Sequence, residues 1–139
     1  MLGSTIEQLK VGQQARFSKT VAESDVYLFA GISGDFNPAH INQAYAEQTA
    51  FKTRIAHGML AAGFISTVLG NQLPGPGTIY ISQSLNFLAP VAIGDTITAT
   101  AEVVELNMDK KRARLKTVCT NQDGREVLVG EALVSPPRG

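Results

Sequence analysis

His40 and His57 are the only two imidazoles in the chain, and imidazole is the side chain whose ordinary titration lies nearest neutral pH. His40 closes the stretch Ser33-Gly34-Asp35-Phe36-Asn37-Pro38-Ala39-His40. An ionised carboxylate and a neutral imidazole can together hold and deprotonate one water near neutral pH. The spacing of Asp35 and His40 fits one helix face poorly, because residues three or four apart are the ones that meet there. Asn37 and Pro38 instead prescribe a turn: Asn bonds its own nearby backbone, and Pro biases the residue before it toward an extended conformation. On spacing alone three readings stand: a helix-capping Asp with an ordinary surface His, a general-base pair, and a metal site.

His57-Gly58 is the second constellation. It opens an apolar helical segment, so the Gly58 N–H lacks an intrahelical partner, and the absent side chain lets a ligand approach the backbone. A donor at a helix's positive end can hold an oxygen that gains negative charge. The alternative is that Gly58 relieves crowding while His57 caps or packs. Ser66, further along the same segment, reads as a helix residue bonded back to the preceding turn. Other chemistries have no support. There is no GxxxxGK[ST], GxGxxG or GxSxG. A metal would need Asp35, His40 and His57 together, and no HxxxH or comparable pair supports one. Cys119 is alone, which excludes an intrachain disulfide and multi-thiolate centres. It reads as a buried or half-buried small residue.

The elements that must position these groups follow from periodicity. Residues 13–21 alternate weakly and predict a strand. Residues 22–34 place Val26, Phe29 and Ile32 at helical spacing, with Glu23 and Asp25 in the first turn. Gly34 suits a left-handed cap just before Asp35. A short helical piece is expected in 43–51. Residues 57–70 are apolar on nearly every face and predict a buried helix. Period-two patterning then predicts four long strands, at 78–91, 95–107, 111–122 and 125–136, forming an antiparallel meander. The tail 135–139 reads as frayed. The fold class is therefore α+β: a long antiparallel sheet wrapped around one central buried helix, the hot dog arrangement.

With 139 residues and no internal linker, 1–139 reads as a single domain. Lys plus Arg and Asp plus Glu balance at 12 each, which gives no general reason to bind nucleic acid or anionic lipid. No apolar run spans a membrane, and the start, MLGSTIEQLKVG, has neither the basic nor the apolar part of a signal peptide. A cytoplasmic setting is expected.

Asp35-Phe36-Asn37-Pro38-Ala39-His40, followed by FKTRIAHGMLAAGFIS and LPGPGTIYISQSLNFLAPVAIGDTI, closely resembles the R-specific enoyl-CoA hydratases of the MaoC-like dehydratase family, from about residue 8 to about residue 134. The resemblance implies a hot dog fold, usually a homodimer with sheets joined edge to edge. It implies reversible addition of water to trans-2-enoyl-CoA to give (R)-3-hydroxyacyl-CoA, a step linking fatty acid β-oxidation to polyhydroxyalkanoate synthesis. No metal or redox cofactor is implied; coenzyme A is part of the substrate. Asp35 and His40 become the catalytic pair and Gly58 the donor to the thioester carbonyl. Asn37, His57 and Ser66 become supporting residues. The expected division of labour has Asp35 accepting the water proton, while His40 orients the water and relays the proton to the α-carbon. Lys52, Arg54, Lys110 and Lys111 are the candidates for the coenzyme A phosphates. The alternatives are an acyl-CoA thioesterase and a non-catalytic acyl-thioester-binding hot dog subunit, since this fold hosts several chemistries.

Overall fold

Alternation of apolar and polar residues gives β4 (Thr96–Asn107) and β5 (Arg112–Thr120) one buried face each, and that face has a single largely apolar helix to pack against. The computed structural model describes residues 1–139. Strand β1 (Gln14–Thr20) leads to helix α1 (Glu23–Ser33), two one-turn helices, α2 (Pro38–Ile41) and α3 (Gln43–Ala46), and the long helix α4 (Gly58–Asn71). Strands β2 (Ile79–Gln83), β3 (Asn86–Phe87), β4 (Thr96–Asn107), β5 (Arg112–Thr120) and β6 (Glu126–Ser135) follow. All pairings are antiparallel, and the main sheet runs β1-β4-β5-β6-β2, with β3 also on β6.

The buried residues of β4 and β5 fall at every second position, as the pleat requires. Ala99, Ala101, Ala113 and Ala132 line the inner face, and their small side chains let α4 approach closely. Ile65, Val68 and Leu69 of α4 are at most 1% exposed against them. Burial of each such side chain is worth roughly 1.5–3 kcal/mol. Phe64 meets Phe17 of β1 edge to face, at 5.7 Å between ring centroids.

Three expectations are corrected. Residues 78–91 do not form one strand: β2 stops at Gln83, and β3 adds only two residues. Gly130 permits this break, because a Cβ there would lie 1.8 Å from the Ser84 carbonyl oxygen. Only β4, β5 and β6 form a meander; β2 crosses over to the far edge beside β6. Nor is the tail frayed, since Pro136 and Pro137 are buried.

The glycines make this packing testable. Gly130→Ala should destabilise the fold by about 1–3 kcal/mol, the usual range for overpacking. Gly31→Ala, within α1 and with nothing inside 4 Å of the new Cβ, should stabilise by about 0.5–1 kcal/mol. Chemical denaturation of both variants checks the opposite signs.

Candidate active site

The polar turn is built in order. Gly34 takes the left-handed conformation (φ 82°) that ends α1, and its N–H donates to the Ala30 carbonyl. Asp35 Oδ1 then accepts from the Asn37 N–H at 3.1 Å, and Asn37 Oδ1 accepts from the Ala39 N–H at 3.1 Å. Asn37 thereby caps α2, and Pro38 occupies its first position, where a missing N–H costs nothing. Pro38 therefore starts a helical turn, a role not anticipated from the sequence. His40 lies one turn later, half-buried, with Asp35 exposed beside it.

Residues 55–58 meet this turn from the other side. Ile55 donates its N–H to the Ala39 carbonyl at 3.2 Å, and its own carbonyl accepts from His40 Nδ1 at 2.7 Å. Because a carbonyl only accepts, the His40 hydrogen resides on Nδ1 and the Nε2 lone pair is free. Ala56 donates to the Val91 carbonyl at 2.7 Å, which ties the segment to the loop before β4. His57 donates Nε2–H to the backbone carbonyl of Asp35 at 2.9 Å and stacks on the His40 ring at 3.9 Å. Phe29 of α1 packs edge-on against His57. The Gly58 N–H opens α4 and pairs with no acceptor of the chain.

The result is a small polar cluster at the lip of an apolar cavity. Asp35, His40 and His57 each bring an atom within 4.8 Å of the others. Groups gathered this closely can share one water through hydrogen bonds of about 2.8 Å. The cavity has a volume of about 540 Å³, and apart from His40 and Gly58 its lining is apolar. Ala61, Val91 and Leu128 are its buried floor, while Phe51, Met59 and Phe87 stand half exposed at its rim. Phe87 lies so close to Gly58 that a Cβ there would be 2.7 Å from its ring, so only glycine leaves both the ring and the N–H in place.

Asp35, His40 and His57 carry metal-ligating atom types, but the two rings are not aimed at one point. The stacked rings meet at 26° from 3.9 Å apart, so their planes intersect well beyond the roughly 2.0–2.1 Å of a zinc–imidazole bond. His57 Nε2 and His40 Nδ1 are also both committed to carbonyls. Cys119 is no nucleophile. It is buried beneath Ala61, and burial pushes its thiol up to about 12.

Of the residues singled out from the sequence, Asp35, Asn37, His40, His57 and Gly58 come together, and Ser66 does not. It lies on the exposed face of α4, about 12 Å along the axis from Gly58 at 1.5 Å per residue. Thr67, not Ser66, makes the bond back to the preceding turn, at 3.2 Å to the Gly63 carbonyl. Arg54 is occupied: it donates to Glu23 Oε1 and Tyr27 Oη, both at 2.7 Å, and holds the Glu23 carboxyl below its ordinary range. Lys52 is exposed next to the rim residue Phe51, whereas Lys110 and Lys111 sit in the β4–β5 turn. The rim residue Phe87 and the Ile55 carbonyl were not anticipated, and no motif marks them because strand pairing and a loop bring them in.

The chain is similar to known proteins along almost its whole length. The profile of the MaoC like domain matches residues 7–126. The (R)-specific enoyl-CoA hydratase of Rhodospirillum rubrum is 60% identical over 131 residues, 94% of this chain and 90% of that protein. Among solved structures, the unliganded R-hydratase of Pseudomonas aeruginosa superposes with a TM-score of 0.95 at 45% identity, covering 99% of this chain and 88% of that one. The (R)-hydratase from Aeromonas caviae involved in polyhydroxyalkanoate biosynthesis gives 0.92 at 48%, covering 94% and 99%. The neighbours share the hot dog fold, and the chain belongs to the MaoC-like dehydratase family.

Proposed function

We propose that the protein is an R-specific enoyl-CoA hydratase that adds water reversibly to trans-2-enoyl-CoA, giving (R)-3-hydroxyacyl-CoA. The observation that carries this reading is the pair of acceptors, the Asp35 carboxylate and His40 Nε2, beside an unpaired Gly58 N–H at the mouth of an apolar cavity. The acyl chain occupies the cavity, and the thioester oxygen accepts from Gly58. One water donates a hydrogen to each acceptor, which aims an oxygen lone pair at the β-carbon. As the C–O bond forms, the π electrons shift toward the thioester oxygen, where the Gly58 N–H stabilises the enolate. The electrons then return as the α-carbon takes a proton.

The free Nε2 supports a different division of labour from that expected on sequence. His40 takes the proton from water and hands it to the α-carbon, and the Asp35 carboxylate orients the water and stabilises the transient imidazolium. His40 with its hydrogen on Nδ1 has nothing to donate from Nε2 until it has accepted. A positioned base of this kind is worth about 10²–10⁴ in rate, and one oxyanion donor about 10²–10³. The reaction as drawn needs no metal or redox cofactor. The relationship to polyhydroxyalkanoate-linked relatives supports a role at the outlet of fatty acid β-oxidation. No helix is long and apolar enough to cross a membrane, and the acyl-CoA substrate supports a cytoplasmic setting.

The working unit we infer is a homodimer joined at β2. Of the two sheet edges, β1 carries Arg16 and Lys19, charges that discourage edge pairing. The β2 edge instead exposes Ile79 (64%), Tyr80 (40%) and Ile81 (43%). On α4 the exposed Gly63 and Ser66, with the half-buried Gly70, offer small residues against which a second helix can pack.

Three experiments test this reading. Purified protein should consume the enoyl absorbance of crotonyl-CoA without releasing free thiol; thiol release with the enoyl group intact would indicate a thioesterase. Asp35→Asn and His40→Gln should each lower kcat by about 10²-fold or more, with thermal stability nearly unchanged. In sedimentation the protein should show twice the 14.8 kDa chain mass, and Ile81→Asp should shift it toward monomer; a monomeric wild type would contradict the dimer.

A further inference from the structure

His57 does not line the cavity and is only 4% exposed, yet three groups converge on its ring. Nε2–H donates to the Asp35 carbonyl at 2.9 Å, one face stacks on His40 at 3.9 Å and 26°, and Phe29 meets it edge-on at 4.8 Å and 73°. Its remaining nitrogen, Nδ1, is buried without a hydrogen-bond partner. An unpaired buried acceptor costs free energy that a hydrocarbon ring of the same shape would not. Packing alone would therefore be served better by phenylalanine. The compensation lies at the opposite edge of the ring, in the bond to the peptide of Asp35.

That bond holds the Asp35 carbonyl, while the Asp35 N–H donates to Ser33 Oγ at 3.2 Å within the same turn. The Asp35 side chain is exposed and has a single anchor, the Asn37 N–H. Its peptide follows Gly34, which takes the left-handed conformation at φ 82°. His40, by contrast, is fixed at Nδ1 by the Ile55 carbonyl. His57 touches Asp35 through a hydrogen bond and the His40 ring through its face, whereas Asn37 joins the two only along the turn, donating its N–H to Asp35 Oδ1 and accepting the His40 N–H at its carbonyl.

Resting on the hydratase reading, we infer that His57 is a positioning residue that sets the separation of Asp35 and His40 and so keeps both acceptors on one water. Displacing a reacting group by about 1 Å can cost on the order of 10² in rate. The penalty falls on kcat, because His57 is not part of the cavity surface that binds the acyl chain.

Two substitutions separate the contributions of its ring. His57→Phe keeps the stack and the volume but removes the donor; His57→Gln keeps an N–H but removes the stack. With the full-length protein and crotonyl-CoA, each should lower kcat by about 10- to 10²-fold and leave KM within about threefold. In an Asp35→Asn background, adding His57→Phe should cost less than about threefold, since the group being positioned is already disabled. Wild-type kcat in His57→Phe, or the full penalty repeated in the Asp35→Asn background, overturns the inference. Should His57→Phe fail to fold, His57→Gln is judged by the same two criteria. Wild-type turnover is measured first: its absence overturns the hydratase reading, whereas normal turnover with unaffected His57 variants overturns this inference alone.

Discussion

The site depends on four consecutive residues, Ile55-Ala56-His57-Gly58, being held from both sides at once. Ala56 is bonded to Val91 ahead of β4, while Ile55 exchanges bonds with Ala39 and His40. His57 reaches Asp35, and Gly58 starts the buried helix with its N–H unspent. A loop this short cannot shift one contact without disturbing the others. The geometry of an exposed carboxylate and a half-buried imidazole is thus set by backbone bonds to the sheet side of the molecule. This is preorganisation by ordinary hydrogen bonds, and it puts donors and acceptors in place before substrate arrives.

The rest of the fold serves that segment. The face of α4 formed by Ala61, Phe64, Ile65, Val68 and Leu69 is apolar because the sheet covers it, and the sheet's inner alanines let it lie close. The apolar cavity lies between the start of α4, the short β3 and the first residues of β6. Polar chemistry is confined to its lip, where the helix begins and the carbonyls of Asp35 and Ile55 are already satisfied. Exclusion of water from the cavity strengthens the Gly58 donor, since its field is less screened there.

Local features were legible in the sequence, and pairings made at a distance were not. Gly34 as a left-handed cap, Asn37 as a turn-former and the apolar helix through Ala61 and Phe64 follow from side-chain chemistry within a few residues. The alternating strands β4, β5 and β6 follow equally well. The break between β2 and β3 does not, because it answers to Gly130 on another strand, and the crossover of β2 leaves no local trace. The one-turn helix after Asn37 was hidden because Asn37 and Pro38 read equally well as a plain turn; at a first helical position proline is a helix starter. In the site, the motif identified the residue types of the pair. The tautomer of His40 could be assigned only once the Ile55 carbonyl was seen to face Nδ1.

The central claim is that one water, held between Asp35 and His40, supplies both the hydroxyl and, through His40, the proton. Both must then reach the same face of the double bond. Hydration of crotonyl-CoA in D₂O, with NMR analysis of the relative configuration at the α- and β-carbons, measures this directly. The account predicts a single (3R) product with deuterium and hydroxyl added syn. Anti addition, or a mixture of configurations at the α-carbon formed during a single turnover, would contradict it.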